Sequence, residues 1–196
     1  MNLGRWIAAA AVGVSSMIAS APAAGAQSYA PPVGELRPLV LSIAHRLATA
    51  DPVASAKWGT EKRIDDPARE REVLSSVGEQ ARGAGLDPGR VESMFRAQID
   101  ANKDVQRGLF AYWQVVPGTA PDVRPDLASV RSSLDSLNRD IVDRIAAQRS
   151  VLAGPGCLPD LVSAAADVVA VERIDALHQV ALVRALGAVC GPVAAA

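Results

Sequence analysis

The sequence predicts an all-α fold, a single-domain bundle of about six helices. Apolar residues recur three and four apart along most of the chain, and no alternating strand pattern closed by a hairpin turn interrupts them. Helix punctuation also recurs: Asp51-Pro52, Asp66-Pro67 and Asp87-Pro88 each stand where a periodic segment begins. Such a pair supplies a capping carboxylate and a first-turn residue already set at helical φ.

The first 26 residues are set apart from that bundle. Arg5, the apolar run from Trp6 to Ile18, and the small residues Ala24-Gly25-Ala26 form the three parts of a secretory leader, with cleavage expected after Ala26. The run is short for a bilayer span, and no later segment is long and uncharged enough to make one. Residues 27–33 (QSYAPPV) read as a disordered lead-in, and 34–196 as the domain, large enough for a substantial core. An exported domain is therefore expected, periplasmic or secreted.

Within it, Leu36, Leu39, Val40, Ile43 and Leu47 make the first apolar stripe. A second helix is expected with Asp51 as its cap, and a third from Asp66 to about Gly83. A long fourth helix is capped by Asp87, and VVPGTAPDVRPD is a loop. The fifth helix carries the stripe Leu127, Val130, Leu134, Leu137 and Ile141. A last helix is expected from about Pro159 to Val189, flanked by Cys157 and Cys190. An even cysteine count in an oxidising compartment favours a disulfide pinning this helix, with two free buried thiols as the alternative.

Several functions find no support. The only histidines, His45 and His178, have no Cys or His at ligand spacing, so no metal site is expected. A net charge of −1 gives no reason to expect nucleic acid or an anionic membrane as partner.

What stands out is polar side chains on or beside the apolar stripes. Arg46 flanks the first stripe, Lys57 follows Val53 by four, Arg69 precedes Val73 by four, and Arg131 follows Leu127 by four. Gln98, Asn102 and Gln106 join the Val91, Phe95 and Ile99 line of the long helix. Singly, such cations can lay their methylenes on the core and send the charge to water, and such amides can be satisfied by a neighbouring helix. Together, four cations on four helices would need neutralising partners in a dry interior. Inward-facing acids are too few, which makes a bound dianion the natural missing partner.

At these residues the chain resembles the all-helical chorismate mutases of the AroQ class, most closely their exported subclass. That pattern has an Arg, a Lys eleven residues on, and an Arg twelve further followed by Glu, matched by Arg46, Lys57, Arg69 and Glu70. Asn102 and Gln106 match the small polar residue and the Gln or Glu of the long helix, and Arg131 the later arginine helix. Asn102 stands where a hydroxyl residue is more usual. Val73 is apolar where close relatives can carry an amide.

The resemblance implies a C-terminal disulfide, a homodimer with each pocket inside one chain, and rearrangement of chorismate to prephenate without cofactor. Arg46, Arg69 and Arg131 would bind the carboxylates, with Asn102 assisting. Lys57 and Gln106 would donate to the ether oxygen, and Lys57 could also touch a carboxylate. Glu70, or backbone near Asp66, would take the ring hydroxyl next to Val73. An isochorismate pyruvate-lyase-like enzyme on the same scaffold and a non-catalytic exported helical binding protein are the alternatives.

Overall fold

The computed structural model describes residues 34–195; the leader and lead-in expectations lie outside them. The described residues form eight α-helices: α1 (Arg37–Ala48), α2 (Ala50–Lys57), α3 (Pro67–Gly83), α4 (Pro88–Val115), α5 (Leu127–Ala147), α6 (Arg149–Ala153), α7 (Cys157–Glu172) and α8 (Ala176–Leu186). A 3₁₀ turn at Pro117–Thr119 lies in the Pro/Gly-rich loop. The extended backbone pairing among the described residues is a single isolated bridge between Leu86 and Ala194.

Capping chemistry explains most of the boundaries. Asp66, Asp87 and Asp126 each precede a helix and accept hydrogen bonds from its first-turn amides, which lack intrahelical partners. The expectation for α2 is corrected. Thr49 stays in the right-handed helical region between α1 and α2, so α2 begins at Ala50 and Asp51 falls inside its first turn. The Asp51 carboxylate lies instead 3.1 Å from His178 Nε2.

The two last helices expected from the sequence are each divided. Gln148 ends α5 and turns its amide to the Glu35 carbonyl. Arg173 adopts φ 53°, a left-handed conformation disfavoured for a side chain with a Cβ, and ends α7. Asp175 then caps α8 through the amides of Leu177 and His178. No Gly or Pro announces that break, so periodicity alone reads through it.

α4 is the spine. Its broadest contact is with α8, and α3 and α2 pack along its other sides, while α1 lies against α5, α7 and α8. Leu39, Val40 and Ile43 of α1, Met94 and Phe95 of α4, and Ile141 of α5 are buried in the shared core. Gly108 permits the close approach of α8: a Cβ there would meet a Leu177 methyl at 2.7 Å. Cys157 and Cys190 form the disulfide, joining the start of α7 to the segment after α8. Asp160 of α7 is buried and accepts from the amides of Gly34 and Leu36, capping α1 from another helix.

Candidate active site

Four helices bring their cations to one cavity of about 130 Å³, far more than the ~10–15 Å³ a single water needs. Arg46 comes from α1, Lys57 from the end of α2, Arg69 from the first turn of α3 and Arg131 from α5. Asp66, Glu70 and Val73 of α3 and Asn102 and Gln106 of α4 also line it, so every substrate-contacting residue expected from the sequence meets there. Val53, Ile64, Ile99, Leu127, Val130 and Leu134 supply its apolar lining, and Lys103 of α4 adds a further cation at the wall. The first half of the α5 stripe thus faces the cavity rather than the core.

Arg46 is 4% exposed. Its Nε donates to Asn138 Oδ1 at 2.8 Å, and its guanidinium sits 5.4 Å from the centre of the Phe95 ring. Burial pushes its pKa down to about 10, still charged at neutral pH. Lys57 Nζ donates to the Ile64 carbonyl at 3.1 Å. Burial is the main cause lowering its pKa, opposed by Asp66, Asp65 and Glu70 and reinforced by Arg131. Arg131, by contrast, is exposed at the cavity wall.

Arg69 is held from outside the cavity by Asp135 of α5 at 2.9 Å and by Glu72 at 3.2 Å. Glu70 takes Arg96 at 2.6 Å and Lys103 at 3.2 Å. Lys103 also meets Asp100 at 3.0 Å; burial lowers its pKa, but the bonds to Asp100 and Glu70 outweigh that and raise it. Among the described residues no carboxylate pairs with Arg46, Lys57 or Arg131; the ion pairs nearby belong to Arg69, Arg96, Lys103 and Arg107.

The amides of α4 are linked. Gln106, 3% exposed, donates from Nε2 to Asn102 Oδ1 at 2.7 Å, and its buried Oε1 has no partner among the described residues. Asn102 donates to the Leu47 carbonyl at 3.4 Å and to Thr49 Oγ1 at 3.3 Å. Gln98, also on the long-helix line, is buried outside this cavity with neither amide atom bonded.

The donors left over define the chemistry. Arg46 keeps both terminal amino groups, Lys57 two of its three ammonium protons and Gln106 one amide proton, all without acceptors among the described residues. Sequence reasoning missed Asn138, Asp135 and Lys103. Asn138 lies one turn beyond Leu134 on the α5 stripe, a polar residue on an apolar line and so a readable signal. Lys103 lines the cavity and follows Ile99 by four, the same kind of readable signal, whereas nothing in the sequence singles out Asp135.

Fold and cavity together define an α-helical bundle built around a cation-lined cavity. The chain belongs to the chorismate mutase type II family, whose model matches residues 37–107. It is 45% identical to the secreted chorismate mutase of Mycolicibacterium smegmatis over 156 residues, covering 79% of this chain and 86% of that protein. Identity to the secreted chorismate mutase of Mycobacterium tuberculosis is 37%, covering 80% of this chain and 78% of the relative. The crystal structure of the Burkholderia thailandensis chorismate mutase superposes with a TM-score of 0.76 at 36% identity, covering 80% of this chain and 99% of that one.

Proposed function

We propose that the protein rearranges chorismate to prephenate by clamping the folded dianion and stabilising charge on its breaking ether bond. One observation carries this reading: cations from four helices converge on one cavity, and Arg46, Lys57 and Arg131 have no carboxylate partner among the described residues. The reaction is intramolecular and needs neither nucleophile nor proton shuttle. Its barrier falls when the enolpyruvyl arm is held over the ring and fixed donors await the ether oxygen.

In this reading Arg46, Arg69 and Arg131 bind the two carboxylates through planar guanidinium forks. Asp135 and Glu72 hold Arg69 in position, and Asn138 and Phe95 do so for Arg46. Lys57 and Gln106 direct their remaining protons to the ether oxygen. Glu70, already accepting from Arg96 and Lys103, has carboxylate lone pairs left for the ring hydroxyl, with the Asp66 backbone as the other acceptor. Val73 supplies an apolar wall.

In this reading the protein is a homodimer, as the resemblance implies, with each pocket lined by residues of a single chain. Export is supported by the names of the relatives, each a secreted chorismate mutase. The leader would be removed after Ala26.

The test is chorismate consumption by the mature domain. Wild type should produce prephenate, and Arg69→Ala should lose at least about a hundredfold in kcat/KM, comparable to losing one oxyanion-type donor. Equal activity of a folded Arg69→Ala variant would reject the clamp. Release of pyruvate from isochorismate in place of prephenate formation would select the lyase reading.

A further inference from the structure

We infer that Thr49, the joint between α1 and α2, is a positioning residue: it fixes the polarity of the Asn102–Gln106 amide pair and so keeps Gln106 a hydrogen-bond donor in the cavity. This rests on the reading of Gln106 given above. The two ends of a side-chain amide are nearly equal in size, so their partners decide which is nitrogen and which oxygen.

The partners of Asn102 leave one choice. The Leu47 carbonyl can only accept. The hydroxyl of Thr49 has a single proton, spent on the Arg46 carbonyl at 2.7 Å, so its oxygen meets Asn102 with lone pairs alone. Turned around, Asn102 would set its own oxygen against two acceptors. Its nitrogen therefore faces α1 and the α1–α2 joint, and its oxygen faces Gln106.

The same logic propagates one step. Gln106 must present Nε2 to that oxygen, as it does at 2.7 Å, because Oε1 in its place would meet another acceptor. A backbone carbonyl on α1 thus dictates, through Thr49 and Asn102, that Gln106 arrives as N–H. Asn102, expected from the sequence to assist at a carboxylate, is accounted for here by orienting its neighbour.

The experiment compares Thr49→Val, which keeps the shape and loses the hydroxyl, with Thr49→Ser, which keeps the hydroxyl. Thr49→Ala serves if a circular-dichroism melt shows the valine variant poorly folded. Chorismate turnover should fall about tenfold in kcat with KM within about twofold for Thr49→Val, and Thr49→Ser should recover to within about threefold of wild type.

A merely structural joint would not move the second readout. In a Gln106→Glu background the new carboxyl faces the Asn102 oxygen and must keep its proton to bond there, so activity falls as pH rises. Adding Thr49→Val leaves only the long 3.4 Å bond to the Leu47 carbonyl opposing a turn of the Asn102 amino group to the carboxylate, and the profile should shift about one pH unit lower. An unshifted profile overturns the inference while leaving the chorismate reading intact.

A third readout needs no turnover. The side-chain amide protons of Asn102 and Gln106, followed by ¹⁵N NMR in the free protein, should exchange faster in Thr49→Val than in wild type or Thr49→Ser. Equal exchange in all three overturns the inference whether or not chorismate is the substrate.

Discussion

At the cavity, Arg46 is buried beside one amide oxygen and one aromatic ring, Lys57 is partly desolvated, and Gln106 Oε1 has no partner among the described residues. The α7–α8 pair is made differently. Its buried Asp160 receives two backbone amides, and its buried His178 lies between Asp175 and Asp51. A disulfide ties the pair's two ends. One region leaves its polar groups expectant, and the other sets its buried polar groups against carboxylates or amides, His178 Nε2 lying 3.1 Å from Asp51 without a formed hydrogen bond. Stability and chemistry are therefore held largely in separate parts of one small core, since unpaired buried charge costs several kcal/mol that something else must offset.

The largest expected effect breaks the comparison from the stable side. Replacing both Cys157 and Cys190 by Ser removes a link across 33 residues and should lower unfolding free energy by roughly 3–4 kcal/mol in the chain-entropy model. Chorismate turnover at a temperature where the variant remains folded should stay within about twofold of wild type. A parallel collapse of kcat would show that the two regions are not separable.

Next comes the cavity side. Arg46→Met should cost at least about a hundredfold in kcat/KM, yet raise stability by about 1 kcal/mol, because an apolar side chain of similar length avoids the burial penalty. Denaturant titration against wild type checks it, and a clear loss of stability would show that Asn138 and Phe95 fully compensate the charge.

The smallest effect sharpens the contrast through pH. Lys57 must be charged to act, and burial has lowered its pKa, so activity should fall on the alkaline side before an ordinary lysine would titrate; Gln106 carries no proton to lose, so the rate should stay level from about pH 5 to 8. His178 moves the other way: Asp51, aided by Asp175 and opposed by burial, raises its pKa. With the folded pKa above the unfolded value of about 6.5, its contribution is complete below about pH 6.5 and is lost as pH rises through the folded pKa. Melting curves of wild type and His178→Asn should thus converge with rising pH while the rate holds.

Local chemistry made much of this legible. Asp66 and Asp87 announce their helices because a cap acts within three residues, and the cavity cations could be chosen because they break apolar stripes. Distant partners left no such trace. Asp160 caps α1 across more than a hundred positions, and Asp51, bearing the same Asp-Pro signature as Asp66, answers to His178 instead. The division of α7 from α8 escaped notice because Arg173 enters the left-handed region without a glycine to announce it.

Arg131 alone of the four cations is exposed, whereas Arg46 lies at the buried extreme. A charged guest would therefore be greeted at the rim while still wrapped in solvent and would shed its hydration in stages, each oxygen exchanging water for an N–H on the way in. Such a gradient favours capture first and tight fitting afterwards, and makes the outermost arginine a control on arrival more than on turnover.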